Sequence, residues 1–418
     1  MIGCAYTDDY ARDPALSAPL VGKESLLSAS SDARYACETS RLVTPSVPTV
    51  SFGNDEILFR RGDDMFVFMT ENDAESDFSA RLVVASIDRD GNIGETRIIA
   101  KKPAGWINSV QMVERDGSVM LLWLESNPDE GSSIRIATLD DNLEVVDGPH
   151  TVLGIEQDID QARSAPADRG LALIWTQRES LTERSLSFAM LDESGQMTDE
   201  PRVVFRSDKG LRLGEFVRFR NRYAATYDEV DEPGSGYFVV LDEEGMPHNG
   251  PLRLGRNANG ESLLVRGDEV LVAYTLFGSP YLGADGAHGI RLASFGLDGN
   301  RKGQVRAVDS AASDRFLMRP RFIPFGDDIA LLWSEGTVIH ECGGCMPDNL
   351  LKFVVLDGTG GKLVSKPIEL INPLDRGGLV RSQGIWNDED LLLLTKIAFH
   401  TTAQLASATI HCEATSEP

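Results

Sequence analysis

The sequence predicts an all-β protein, a seven-bladed β-propeller of four-stranded antiparallel blades whose ring is closed by an N-terminal strand. Three observations carry this prediction. A short apolar strand ending in Leu-Asp or Ile-Asp and followed by a Gly- or Asn-containing turn recurs at Asp88, Asp140, Asp192, Asp242, Asp298 and Asp357. Its intervals of 52, 52, 50, 56 and 59 residues match the length of a kelch-like blade, and a fixed period of that size decides the architecture. Some 20 residues before each aspartate lies a second apolar strand with an aromatic near its end, as in Leu122-Trp123-Leu124-Glu125, Ile174-Trp175-Thr176-Gln177, Tyr227-Asp228, Ala273-Tyr274-Thr275 and Leu332-Trp333-Ser334-Glu335. Phe68-Met69-Thr70-Glu71 and Leu393-Leu394-Thr395 extend this series to seven. Helical periodicity is almost absent.

The second unit shows the elements in order. Strands are expected at Ser109–Glu114, Ser118–Glu125, Ser133–Leu139 and Pro149–Leu153, separated by an Asp-Gly turn, a polar loop and an Asp-Asn turn. Such residues accept the positive φ that tight hairpins demand. The first unit opens with Glu56–Arg60, and the seventh supplies Arg381–Trp386, Asp390–Lys396 and Gln404–Cys412 but no fourth strand. The segment Arg41–Val47 is the candidate to complete it, since pairing the chain ends removes an open sheet edge. An open or eight-unit array is the alternative. Residues 1–34 then form a flexible tether, 35–413 the propeller and 414–418 a short tail.

Composition sets the outer limits. A chain of 418 residues with 42% hydrophobic content is too apolar to be disordered, and no stretch reaches the 18 to 20 consecutive apolar residues of a spanning helix. The net charge of −25 repels a phosphate backbone, which excludes nucleic acid as a partner. The Trp123, Trp175 and Trp333 side chains recur in register and are expected to pack between blades.

The five cysteines speak to the compartment. Cys37 and Cys412 lie at the two chain ends that the closure brings together, so they are expected to form a disulfide. Cys342-Gly-Gly-Cys345 reads either as a short-range disulfide or, with His340 and His288, as a zinc site. The disulfide is the reading adopted, so no metal and no other cofactor is expected. Met1-Ile2-Gly3-Cys4 resembles the end of a bacterial lipobox, which implies lipidation at Cys4. Because disulfides persist in oxidising compartments, the expectation is an exported lipoprotein whose start has lost most of its signal. A cytoplasmic protein with an ordinary N-terminus is the alternative.

No phosphate-cradling Gly-x-x-x-x-Gly-Lys, Gly-x-Ser-x-Gly elbow or His-Glu-x-x-His is present, and no catalytic residue can be named. The loops after the second strands of blades five and six, residues 276–289 and 335–349, are the longest of their kind. They place Tyr281, Asp285, His288, His340 and Glu341 on one face. Trp106, in the connection between blades one and two, is a further candidate for that face. Arg163, Arg319 or Arg321, and Arg381 recur near the starts of innermost strands. Guanidinium groups converging on the channel mouth can bind a carboxylate, or they can pair with acidic neighbours. Clusters such as Asp158 with Asp160 read as solvated acidic surface.

The repeats resemble the β-propellers of uncharacterised secreted or lipid-anchored bacterial proteins over residues 41–412. The resemblance implies an extracytoplasmic protein, lipid-anchored in the cell envelope or secreted. The expected function is a non-catalytic scaffold that holds a protein or glycan partner at the cell surface and meets a membrane only through a lipid anchor. A propeller hydrolase or lyase acting on a glycan at the channel mouth is the alternative.

Overall fold

The structure, a computed structural model, describes residues 25–27, 33–40, 56–72, 79–115, 117–127, 131–155, 158–180, 182–229, 235–256, 258–276, 288–311, 315–337, 348–371, 378–386, 390–399 and 402–415. Its strands form seven blades of a propeller, six of four sequential antiparallel strands and the seventh of three completed by a strand from the N-terminal region, and the described residues contain no helix. Blade one comprises Ile57–Arg61, Asp64–Asn72, Ala80–Ile87 and Arg97–Lys102 from the centre outward. Blade two follows with Trp106–Arg115, Ser118–Asn127, Gly131–Leu139 and Val145–Ile155. The innermost strands of the remaining blades are Ile159–Pro166, Leu211–Phe219, Ala258–Arg266, Arg315–Phe325 and Gly378–Trp386.

The core lies between the blades. Trp123 of blade two packs with Phe68 and Leu82 of blade one, Trp175 of blade three with Leu122 and Ile134 of blade two, and Trp333 of blade six with Leu271 and Ile290 of blade five. All three indoles are essentially inaccessible. The in-register tryptophans are therefore inter-blade wedges. The indole N–H of Trp123 donates to Glu125 at 3.0 Å and that of Trp175 to Gln177 at 2.7 Å, the polar residue two positions on in each case, whereas in blade six Glu335 pairs with Arg315 and Lys352 instead.

Each recurring aspartate caps its own turn. Asp192 Oδ1 accepts from the backbone N–H groups of Ser194 and Gln196, both at 2.9 Å, and Asp242 does the same for Glu244 and Met246. This Asx geometry explains why the residue after the strand is aspartate. The Asp192 carboxyl is held below its ordinary range first by the Ser194 hydroxyl and then by these amides. The turn's glycine has a second duty. Gly245, at φ 81°, presents its Cα to the Phe188 ring of blade three, and a Cβ there would come within 2.2 Å of Cδ1. In the Asp140 turn, Leu143 takes this left-handed position at φ 57° and is buried against blade one.

Closure occurs as a strand from the N-terminal region added to blade seven. Tyr35–Thr39 pairs antiparallel with Thr402–Ala414, with Cys37 opposite Cys412. Those two cysteines form a disulfide, which suggests an oxidising, extracytoplasmic environment. The expected closing segment is thus corrected: the strand is Tyr35–Thr39 and contains Cys37 itself, whereas Arg41–Val47 lies outside the described residues. The cross-strand pairing brings the two cysteine Cα atoms to 4.0 Å, which a strand beginning after Cys37 would not do. A second N-terminal piece, Ser25–Leu26, runs parallel to the outer strand Arg301–Ala311 of blade five, and Leu27 N–H donates to Ala307 O at 3.0 Å. Sequence periodicity gave no sign of this fifth strand.

Two outcomes follow. Reducing the Cys37–Cys412 bond, or replacing both residues by serine, should destabilise the ring by about 2–5 kcal/mol, since it spans a separation of 375 residues. Denaturant unfolding with and without reductant checks this, and an unchanged midpoint would contradict it. Gly245→Ala should cost about 1–3 kcal/mol through left-handed strain and collision with Phe188, and Gly267→Ala, where a Cβ meets nothing within 4 Å, should cost less.

Candidate functional site

The innermost strands surround a channel and share one irregularity. In blades two to seven the first and second strands are out of step by one residue: between Asn108 and Gln111, Ile159 and Gln161, Leu213 and Phe216, Gly260 and Ser262, Met318 and Arg321, and Leu379 and Arg381. Each is a β-bulge, a device that re-aims side chains. Ser109 and Arg319 sit inside two of these bulges with φ of 49° and 56°.

Side chains in or beside four of these bulges, and Gln383 two residues beyond the blade-seven bulge, reach across to the next blade. Ser109 Oγ accepts from Ala162 N–H at 3.4 Å, Gln161 Oε1 from Leu213 N–H at 2.6 Å, Glu215 Oε2 from Leu263 N–H at 2.5 Å, Ser262 Oγ from Phe322 N–H at 3.1 Å and Gln383 Oε1 from Leu58 N–H at 3.0 Å. Five of the junctions around the channel are laced in this manner.

Within this polar ring is a cavity of about 300 Å³ lined by Glu56, Gln111, Arg163, Glu215, Arg321 and Gln383 together with Ile57, Val110, Met112, Phe216 and Val217. Arg163 is fixed by donating from Nε to Gly214 O and from Nη1 to Ala162 O, both at 2.9 Å. Arg321 pairs with Glu215, and each keeps 23% of its side chain open to the channel. Burial deep in the ring pulls both guanidinium groups down to about 10, Arg321 further through repulsion from Arg163. Both remain cationic at neutral pH. Gly214 admits no side chain, because a Cβ there would lie 2.5 Å from Gly260 O and 2.3 Å from Thr226 Oγ1.

The two carboxylates lining the cavity are both engaged. Glu56 lies 3.0 Å from Lys396, with 6% and 4% of the respective side chains exposed. Burial raises the Glu56 pKa, opposed by the Lys396 charge. Further out on the same face, acids at the ends of second strands meet basic residues: Asp228 with Arg212 at 2.7 Å, Glu71 with Arg81 at 3.2 Å, and Glu335 with Arg315 and Lys352 at 2.5 Å each.

Of the residues singled out from sequence, Arg163 and Arg321 come together in this cavity. Arg319 lies inside the bulge that Arg321 closes and is not among the residues lining the cavity. Arg381 lies in the innermost strand of blade seven opposite Lys396, and His288 opens the third strand of blade five opposite Ala311, but both side chains lie outside the description. Trp106 is 39% exposed and belongs to a strand, paired with Ser126, rather than to a connecting loop. Tyr281, Asp285, His340, Glu341, Cys342, Cys345 and Cys4 fall outside the described residues. Among the described residues, no group of three or more metal-ligating side chains is present. Glu215, Gln383, Gln111, Glu56 and Lys396 were not foreseen. Glu215 and Gln111 share a position at the bulge of an innermost strand, visible only once the strands are aligned, and the others carry no common sequence signal.

The fold and channel define a seven-bladed β-propeller with a polar, arginine-bearing centre. No protein-family model matches the sequence, and no curated protein matches it. Among solved structures, it is similar to a protein of unknown function from Dyadobacter fermentans, with 10% identity, a TM-score of 0.50, and coverage of 91% of this chain and 100% of that one. It is also similar to a Trypanosoma rangeli sialidase in complex with the inhibitor DANA, with 11% identity, a TM-score of 0.42, and coverage of 77% of this chain and 57% of that one. The polysaccharide lyase Uly1 gives 10% identity, a TM-score of 0.45 and coverage of 86% and 89%. At these identities the likeness concerns the fold alone.

Glu215→Ala should destabilise the protein by about 3 kcal/mol, because it strands Arg321 beside Arg163 in a poorly solvated channel. Adding Arg321→Met should restore the part due to the stranded charge, but not the part due to the Leu263 amide, which lacks its Glu215 acceptor in both variants. Chemical denaturation of both variants checks the pair, and equal stability of the single and double variants would refute it.

Proposed function

We propose that the protein is a non-catalytic, extracytoplasmic binding propeller whose channel cavity receives the carboxylate of an acidic glycan. One observation carries the reading: Arg163 and Arg321 stand together in a polar cavity, one anchored on backbone carbonyls and the other on Glu215. Guanidinium groups match carboxylates in geometry and charge. A cavity of about 300 Å³ admits a sugar-sized group rather than a folded protein surface, and its glutamines suit hydroxyl groups. Glycosidase chemistry asks for two carboxyl groups free to donate and accept protons or attack the sugar. Here both Glu56 and Glu215 are tied to cations, which supports binding over turnover. We further propose attachment to the envelope through lipidation of Cys4, for which mass spectrometry of the native protein is the test.

Calorimetric titration with oligosaccharides containing glucuronate or galacturonate, beside their neutral counterparts, tests the function. Acidic sugars should bind, and Arg163→Ala or Arg321→Ala should weaken them at least tenfold, about 1.4 kcal/mol. Equal binding of neutral sugars, or the appearance of cleaved product, would overturn the proposal.

A further inference from the structure

Both arginines of the channel cavity are referred to one peptide group. In blade four the register passes from Leu213 opposite Tyr227 to Phe216 opposite Ala225, so Thr226 alone faces the two extra residues, Gly214 and Glu215. The peptide joining those two is gripped from both sides. Its N–H, belonging to Glu215, donates to Thr226 Oγ1 at 3.1 Å, and its carbonyl, belonging to Gly214, accepts from Arg163 Nε at 2.9 Å. The next group along the same bulge, the Glu215 carboxylate, pairs with Arg321.

A glycine beside a peptide leaves its plane free to rotate, so this one needs a fixed partner. Thr226 is built for that: it is fully buried, and its β-branched side chain is stiff at χ1. It is also wedged between two bulges. A Cβ on Gly214 would strike its Oγ1, and one on Gly260, in the bulge of blade five, would come within 2.9 Å of its Cγ2. Burial of a threonine in a second strand does not by itself create such a prop. Thr176 of blade three is equally buried, but it pairs in register with Gln161, and its hydroxyl has no hydrogen-bond partner among the described residues.

We infer that Thr226 is a positioning residue of the channel site, whose hydroxyl fixes the Gly214–Glu215 peptide and through it the aim of the Arg163 and Arg321 guanidinium groups. Thr226 does not line the cavity, so it acts through the bulge and touches no ligand. A pair of cations held in place before binding spends less on ordering than a mobile pair. The effect on affinity rests on the acidic-glycan reading of the cavity; the effect on the arginines does not.

Three variants of the full chain test this: Thr226→Val, which keeps the shape and removes the acceptor, Thr226→Ser, which keeps the acceptor, and Thr176→Val. Nuclear magnetic resonance follows the Glu215 amide and the Arg163 Nε–H, and calorimetry follows a glucuronate-containing oligosaccharide. In Thr226→Val the Glu215 amide should exchange with solvent at least tenfold faster, the Arg163 Nε–H signal should shift, and affinity should fall at least tenfold. Thr226→Ser should restore all three, and Thr176→Val should move none. Thermal unfolding shows which variants fold, and Thr226→Ala, which removes the hydroxyl without adding an atom, replaces the valine variant if that one does not. Unchanged Glu215 exchange and Arg163 signal in the folded hydroxyl-free variant, no rescue by serine, or the same changes in Thr176→Val would overturn the inference. A parent protein that binds no acidic sugar would sink the acidic-glycan reading alone, since the exchange and arginine signals still decide the role of Thr226.

Discussion

An innermost propeller strand has a sheet partner on one side only, and its other edge faces the channel with unspent N–H groups. Buried donors of this kind must find acceptors. The answer here is side chains lent from the preceding blade: Ser109, Gln161, Glu215, Ser262 and Gln383 each accept an amide proton from the next innermost strand. A regular strand alternates its side chains and cannot direct one sideways at the required height. The extra residue of a β-bulge can, and Ser109, Gln161, Glu215 and Ser262 lie in or beside the bulges of blades two to five; Gln383 does the same job from regular register in blade seven. The polar channel is therefore a requirement of the fold before it is a place for a ligand. Glu215 shows both roles, with one oxygen on the Leu263 amide and the other on Arg321.

The seam where the ring closes draws on more than the disulfide. Gln383 of blade seven serves the Leu58 amide and also donates to Glu56 O, and the Glu56–Lys396 pair spans the same junction. Gly91 of blade one sits where a Cβ would strike Ser407 of blade seven. On the other side, Arg34 reaches Asp328 at 2.8 Å and the Tyr35 hydroxyl donates to the same carboxylate at 3.0 Å, while the Tyr35 ring stands edge-on to Phe325 of blade six. Burial and the Asp328 contact together raise the Tyr35 pKa, so the phenol remains a proton donor at neutral pH. The closing strand is thereby held to two blades at once. A missing fourth strand in blade seven exposes a pairing edge, and these contacts make its capture by Tyr35–Thr39 specific.

Much of this architecture was legible because it repeats. Asp192 and Asp242 recur since each turn needs the same cap, and Trp123, Trp175 and Trp333 recur since each inter-blade gap needs the same wedge. The cysteines disclosed the closure for a different reason: a covalent bond between distant positions requires their strands to meet. The channel was legible only in part. Arg163 and Arg321 attract notice by type, but Gln161, Glu215, Ser262 and Gln383 perform one job with three kinds of side chain, so no residue pattern marks them. Closing-strand boundaries slipped because apolar content favoured 41–47 over Tyr35–Thr39, a strand whose side chains are half exposed. The outer-strand bulge at Gly303–Val305 left no trace in periodicity at all, since a bulge changes register without changing composition.

The overall charge of −25 and the cationic centre are compatible because they act over different distances. Surface charges are screened beyond about 8 Å at physiological ionic strength, so an acidic exterior slows approach without governing affinity inside the ring. Arg163 and Arg321 are instead removed from water, where each charge interacts more strongly. Their depressed pKa values record first the cost of burying each charge, to which Arg321 adds repulsion from Arg163. Glu215 offsets part of that cost through Arg321, and a further anion between the guanidinium groups would offset more. Under the proposed function, a ligand carboxylate would draw affinity from this burial cost and repulsion, and a neutral ligand of the same shape would draw none.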